Sequence, residues 1–177
     1  MSNLPHTLIE RLRKVRLFIC DVDGILTDAS VFMGLDVEIK RFNIQDGLGL
    51  RLLQREGIKV AWVSNRPSYA TTQRANDLKI DFLHQADGNK ITAVEKLLGE
   101  TQLGWDDISY MGDDVVDLGV LKRAGLAVTV PHAISEAQEV AHYVTELPGG
   151  DGAVREVVDM ILKAQGKWES IVRHFMQ

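Results

Sequence analysis

Short apolar runs alternate along this chain with longer segments whose apolar residues recur every three or four positions. RLFIC (16–20), IKVAWVS (58–64), IDFL (80–83), DISYM (107–111) and LAVTV (126–130) are brief and rich in β-branched or aromatic residues, the pattern of strands buried on both faces. Between them, QDGLGLRLLQREG (45–57), PSYATTQRANDLK (67–79), GNKITAVEKLLGE (88–100) and DDVVDLGVLKRAG (113–125) read as helices, several closed by a glycine after the last turn. This alternation predicts right-handed crossovers and a doubly wound, Rossmann-like parallel α/β sheet.

One segment departs from the rhythm. ASVFMG (29–34) and VEIKRFN (37–43) are strand-like runs around a Leu35–Asp36 turn, which predicts a β-hairpin inserted at about 29–43. It should project from the carboxyl end of the first strand, the edge where such sheets bind ligands. No repeat, low-complexity tract or linker interrupts the chain, so residues 1–177 read as a single domain without a large cap, ending in a tail at about 165–177. That tail reads equally as a mobile lid or a packed end.

With 177 residues and a formal net charge of -5, the chain can bury a full core and has the balance of an ordinary soluble protein. No run approaches the ~20 apolar residues of a membrane span, and the first residues lack a secretory pattern, so a cytoplasmic protein with no membrane partner is the expectation. The mild acidity and scattered Lys and Arg argue against nucleic acid; RLRKVR (11–16) reads as the solvated end of a first helix. The single cysteine, Cys20, lies inside an apolar run and reads as a buried, inert thiol.

The candidate chemistry is carboxylate-rich. Asp21 and Asp23 follow the first strand, and Asp113, Asp114 and Asp117 follow DISYM. If both strands are central and parallel, these groups meet at one edge, where like charges require a cation between them. Oxygen donors without nearby His or Cys suit magnesium. Asp113 or Asp114 could alternatively be a plain helix cap. Ser64, Asn65, Arg66 and Pro67 offer a hydroxyl and backbone N–H groups at a helix start, a ready anion site, though Ser64 could also be only a cap. Lys90 opens another helix and, alone, would read as a solvent lysine.

Taken in order, DVDGILTD, WVSN, Lys90 and MGDDVVD resemble the four motifs of the haloacid dehalogenase-like phosphohydrolase superfamily, across nearly the whole chain. FNIQDGLGLRLL (42–53), the hairpin and GGDGAVREVVDMIL (149–162) resemble more narrowly its capless, tetrameric, cytoplasmic branch acting on sugar acid phosphates. The resemblance implies that Asp21 is the nucleophile and Asp23 the general acid and base. It also implies that magnesium is held by Asp21, the Asp23 carbonyl and Asp113, with Asp114 and Asp117 supporting it. Ser64, the Asn65 N–H and Lys90 would hold phosphate, and Arg66 and Arg155 would recognise the rest of the substrate, Arg155 from a neighbouring subunit or else in a loop that only caps the last helix.

An eight-carbon octulosonate 8-phosphate, on the way to lipopolysaccharide, is implied over a nine-carbon 9-phosphate, whose pattern has Glu where Arg66 stands. The branch usually carries Ser-Gly-Arg where this chain has Ser-Asn-Arg. Two other classes compete. A signalling receiver domain would also gather acids, a Ser/Thr and a Lys around magnesium, but lacks the first-strand Asp-x-Asp-Gly. An inactive regulatory or oligomerisation relative would not need Asp23.

Overall fold

The computed structural model describes residues 4–34 and 37–177. In chain order the elements are α1 (His6–Lys14), β1 (Leu17–Cys20), β2 (Phe32–Met33), β3 (Glu38–Ile39), α2 (Ile44–Arg55), β4 (Lys59–Ser64), α3 (Tyr69–Asp77), β5 (Phe82–Gln85) and α4 (Lys90–Thr101). There follow β6 (Ile108–Met111), α5 (Leu118–Leu121), β7 (Leu126–Thr129), α6 (Ser135–Val140), β8 (Tyr143–Val144), α7 (Ala153–Ala164) and α8 (Trp168–Phe175).

Six parallel strands form one sheet in the order β5-β4-β1-β6-β7-β8, and β2 and β3 form the separate antiparallel hairpin. The expected doubly wound α/β architecture with an inserted hairpin is therefore present; the Leu35–Asp36 turn lies outside the described residues. β1 pairs with β4 on one side and β6 on the other, and all four of its residues are fully buried. The chain runs outward from β1 to β4 and β5, then returns to β6 on the opposite side. That reversal leaves a crevice at the carboxyl ends of β1 and β6, the usual ligand position in such sheets.

Helices cover both faces. α7 buries Val154, Val157, Val158, Ile161 and Leu162, a stripe at helical spacing that packs against α2 and α1. α4, α5 and α6 pack together as another group. Among the described residues no helix is long and apolar enough to cross a membrane.

Three local readings are corrected, and the tail takes one of its two expected forms. The strand expected at 80–83 runs two residues later, because Lys79 is left-handed (φ 51°) and the Ile80 N–H still closes the helix end on the Ala75 carbonyl. The helix expected over 113–125 shortens to a tight turn and α5: the buried Asp117 carboxylate accepts the N–H groups of Asp113 and Asp114 and draws that segment back. Pro67 precedes the helix, whose cap is Ser68, accepting the Thr71 N–H at 3.3 Å. The tail is a packed end: α8 buries Ile171, and the Trp168 ring lies under the charges of Arg155 and Lys163.

Candidate active site

Asp21 is the residue after β1, and its N–H continues the β1–β6 ladder by donating to the Met111 carbonyl at 2.9 Å. The chain then turns sharply at Gly24, whose φ of 88° favours glycine. A Cβ there would overlap the Asp113 carboxylate, so the glycine also permits the two acidic loops to meet. Gly149 and Gly150 press on this turn from behind, and the Gly150 N–H donates to Ile25 O at 3.0 Å.

Asp21, Asp23, Ser64, Asn65, Arg66, Lys90, Asp113 and Asp114 all line one cleft of about 270 Å³. Residues from four separate loops thus meet in one place, as their order in the sequence led us to expect. A larger recess of about 660 Å³ surrounds Tyr143, Arg155 and Met160, but it lacks this concentration of groups from the motif loops.

Lys90 is the cationic centre. Its ammonium, almost wholly buried, lies 2.9 Å from Asp21 Oδ2 and 2.7 Å from Asp117 Oδ1. Burial would lower its proton affinity, but the two carboxylates outweigh that and hold it above the usual lysine value. Asp117 has no exposed surface and is saturated: Lys90 and the Tyr110 hydroxyl donate to Oδ1, the latter at 2.5 Å, and the Asp113 and Asp114 N–H groups donate to Oδ2. It orients the loop after β6.

Burial pushes the Asp21 carboxyl up to about 6, with Lys90 opposing and Asp117 adding to the rise. Asp113 is pushed up to about 7, by burial first and then by the charges of Asp21 and Asp117. Oxygens of Asp21, Asp113 and Asp117 all lie within 4.8 Å of one another. Such crowding, with oxygen donors only, fits a hard divalent cation, which would relieve the repulsion.

The remaining expected residues are placed as follows. The Ser64 hydroxyl closes the loop after β4 by accepting the Arg66 N–H at 3.1 Å. Asn65 bridges from this loop to the one before α4, its Nδ2 donating to Gly88 O at 3.0 Å. Arg66 pairs through Nη2 with Glu38 of β3 and leaves Nη1 buried without a partner. Asp114 is exposed and caps its own turn, accepting the Val115 N–H at 2.7 Å. Arg155 lies outside this chain's own cleft; its Nε donates to Asp159 at 2.7 Å and its charge sits 5.7 Å above the Trp168 ring.

Sequence reasoning missed Lys40 and Glu38. The Lys40 side chain is completely buried, with its ammonium 2.7 and 3.0 Å from the two Asp23 oxygens. The alternation within VEIKRFN carried the signal, because Glu38 and Lys40 share one face of an extended segment with Phe42.

Comparison with known proteins agrees with this geometry. A family profile described as haloacid dehalogenase-like hydrolase matches residues 80–157. The chain is 42% identical to 3-deoxy-D-manno-octulosonate 8-phosphate phosphatase KdsC of Yersinia pestis, over 92% of this chain and 87% of that protein. It is 39% identical to the protein of the same name from Escherichia coli K12, over 90% and 86%. The crystal structure of 3-deoxy-D-manno-octulosonate 8-phosphate phosphatase from Moraxella catarrhalis, in complex with magnesium ion, phosphate ion and KDO, superimposes with a TM-score of 0.92 at 36% identity, covering 95% of this chain and 97% of that one. The chain belongs to the haloacid dehalogenase-like hydrolases, as a phosphatase of the group that contains the 3-deoxy-D-manno-octulosonate 8-phosphate phosphatases.

Proposed function

We propose that this phosphatase hydrolyses 3-deoxy-D-manno-octulosonate 8-phosphate to KDO and phosphate, in the cytoplasm, as a step of lipopolysaccharide biosynthesis. The observation that carries the reading is the single cleft lined by Asp21, Asp23, Ser64, Lys90 and Asp113, in a chain similar over most of its length to phosphatases named for that substrate.

Asp21 is the nucleophile. It is ionised at neutral pH despite its burial, and Lys90 at 2.9 Å steadies its charge. A carboxylate oxygen of Asp21 forms a bond to phosphorus as the bond from phosphorus to the sugar oxygen breaks, and Asp23 gives that oxygen a proton. Asp23 then takes a proton from water, whose oxygen attacks phosphorus and frees Asp21 and phosphate. Ser64, the Asn65 N–H and Lys90 bind the phosphate oxygens through the transfer. Asp21, Asp113 and the Asp23 carbonyl would hold magnesium, which when bound supplies positive charge that offsets repulsion between carboxylate and phosphate. Asp114 and Asp117 keep that loop in place.

We assign Arg66, which lines the cleft, to the sugar acid carboxylate, whose geometry its planar guanidinium matches. The assembly we infer is a homotetramer joined through the hairpins, supported by the exposed apolar Phe32, Met33, Val37 and Ile39 on that insertion. In it we assign Arg155 to a neighbouring subunit's cleft. Phosphate release is the test: selective turnover of the octulosonate 8-phosphate over other sugar phosphates, lost with chelator and reduced at least ~10³-fold in Asp21→Asn, is the expected result. Equal turnover of all sugar phosphates would remove the substrate assignment, and undiminished activity in Asp21→Asn would remove the nucleophile.

A further inference from the structure

The hairpin is amphipathic in an inverted sense. Along its returning leg Val37, Ile39 and Arg41 are exposed, whereas Glu38 and Lys40 turn inward. An extended segment with charges inside and aliphatics outside contradicts simple core packing, so the inward charges require a purpose.

Three anchors fix the inward face. Phe42 stacks on Trp62 of β4, with ring centroids 6.2 Å apart and planes 8° from parallel. Glu38 accepts from the Ser68 hydroxyl at 2.6 Å and pairs with Arg66. Lys40, between them, straddles both oxygens of Asp23 and donates to the Thr71 hydroxyl at 3.3 Å. Asp23 itself comes just before the sharp turn at Gly24 and is a quarter exposed at the cleft, and Lys40 meets both of its carboxylate oxygens. A lysine stem with no exposed surface, held at its tip by a second buried group, constrains that carboxylate.

We infer that Lys40 is a positioning residue for proton transfer: from the foot of the hairpin it fixes the Asp23 carboxyl group toward the leaving-group oxygen. The inference rests on the role proposed above for Asp23. The hairpin then contributes to its own chain's chemistry as well as to any contact with a second copy. In the first step the proton from Asp23 matters for a sugar alkoxide, which must be protonated as it leaves, and little for p-nitrophenolate, which leaves unaided; the later attack of water draws on Asp23 whichever ester was cleaved.

The test compares Lys40→Met, Lys40→Arg, Asp23→Asn and the double variant Asp23→Asn/Lys40→Met in the full chain with magnesium. The first step is read alone, in a single turnover with enzyme in excess, as release of the sugar from the octulosonate 8-phosphate and of p-nitrophenolate from p-nitrophenyl phosphate. Lys40→Met should lower that cleavage rate on the sugar phosphate by about 10²-fold, within the usual size of general acid-base effects, with the half-saturating concentration changed less than ~3-fold. On p-nitrophenyl phosphate the cleavage rate should fall less than ~3-fold, Lys40→Arg should recover most of the sugar phosphate rate, and the double variant should be no slower than Asp23→Asn.

Equal losses on both substrates, no loss on either, or additive losses in the double variant would overturn the inference. If Asp23→Asn shows the leaving-group dependence and Lys40→Met does not, the inference fails while the reading of Asp23 stands. If Asp23→Asn spares the sugar phosphate rate, that reading itself fails. Should Lys40→Met not fold, Thr71→Val releases the lysine tip, and the same selective loss at about 5-fold is required of it.

Discussion

Two buried lysines pair with the cleft's carboxylates and differ in origin. Lys90 stands at the first turn of α4, within the sheet-and-helix body, and joins Asp21 to Asp117. Lys40 stands on an insertion whose outer face is apolar and exposed, and joins Asp23 to Thr71. The proposed phosphate side of the site is thus built by the sheet-and-helix body. The proposed leaving-group side is built by a two-stranded hairpin, and such hairpins are marginal alone in water. The proposed nucleophile and proton donor lie two residues apart yet depend on different parts of the molecule.

The contrast is broken most severely at Lys90. Lys90→Met removes the cation shared by the buried Asp21 and Asp117, which should cost about 3 to 5 kcal/mol of stability and lower turnover ~10²- to 10³-fold on sugar phosphate and p-nitrophenyl phosphate alike. Thermal unfolding and parallel kinetics check this; a loss confined to the sugar phosphate would make the two lysines equivalent.

A middle-sized effect is expected from the hairpin's exterior. Phe32→Asp with Ile39→Asp alters only exposed positions. Light scattering should find dissociated chains, and the single-turnover cleavage rate of the sugar phosphate should fall about 10-fold while that of p-nitrophenyl phosphate holds within ~2-fold. An unchanged mass would exclude the hairpin from self-association.

The smallest effect on activity separates stability from both lysines. Asp46, 1% exposed in α2, accepts the Arg155 N–H at 2.7 Å, and burial pushes its carboxyl from 3.8 up to about 6 despite that bond. Because the folded value is the higher one, the folded chain holds this proton more tightly. The resulting stability is complete below pH 3.8 and is lost as pH rises through about 6. Asp46→Asn should remove that slope and stabilise the protein at pH 8 by up to about 3 kcal/mol, without altering the ratio of the two substrates' rates. Thermal unfolding from pH 4 to 8 would detect it.

The body of the domain was legible because uniform apolar runs and glycine-stopped helices state the same period locally and globally. β8, with two residues, and α6, with six, are too short to impress a period, and the packing of β7 defines them instead. Asp21, Asp23, Ser64, Lys90 and Asp113 were legible because each follows a strand or opens a helix, where an aligned sheet must gather them. Glu38 and Lys40 were not: they sit where a hairpin folds back across the sheet, a distance that local patterning does not encode. Nor does sequence alone reveal that Arg66 already has a carboxylate partner in Glu38.

β1 pairs only with residues far along the chain, 59–62 and 108–111. Such separation makes folding slow relative to local contacts, because long loops must close before the pairing stabilises them. During synthesis Asp21 therefore waits for Asp113, 92 positions later by the numbering, before a cation can be held between them. A nascent or clipped chain that stops short of Asp113 lacks one of the proposed metal ligands, so the onset of metal binding would mark the moment the central sheet closes.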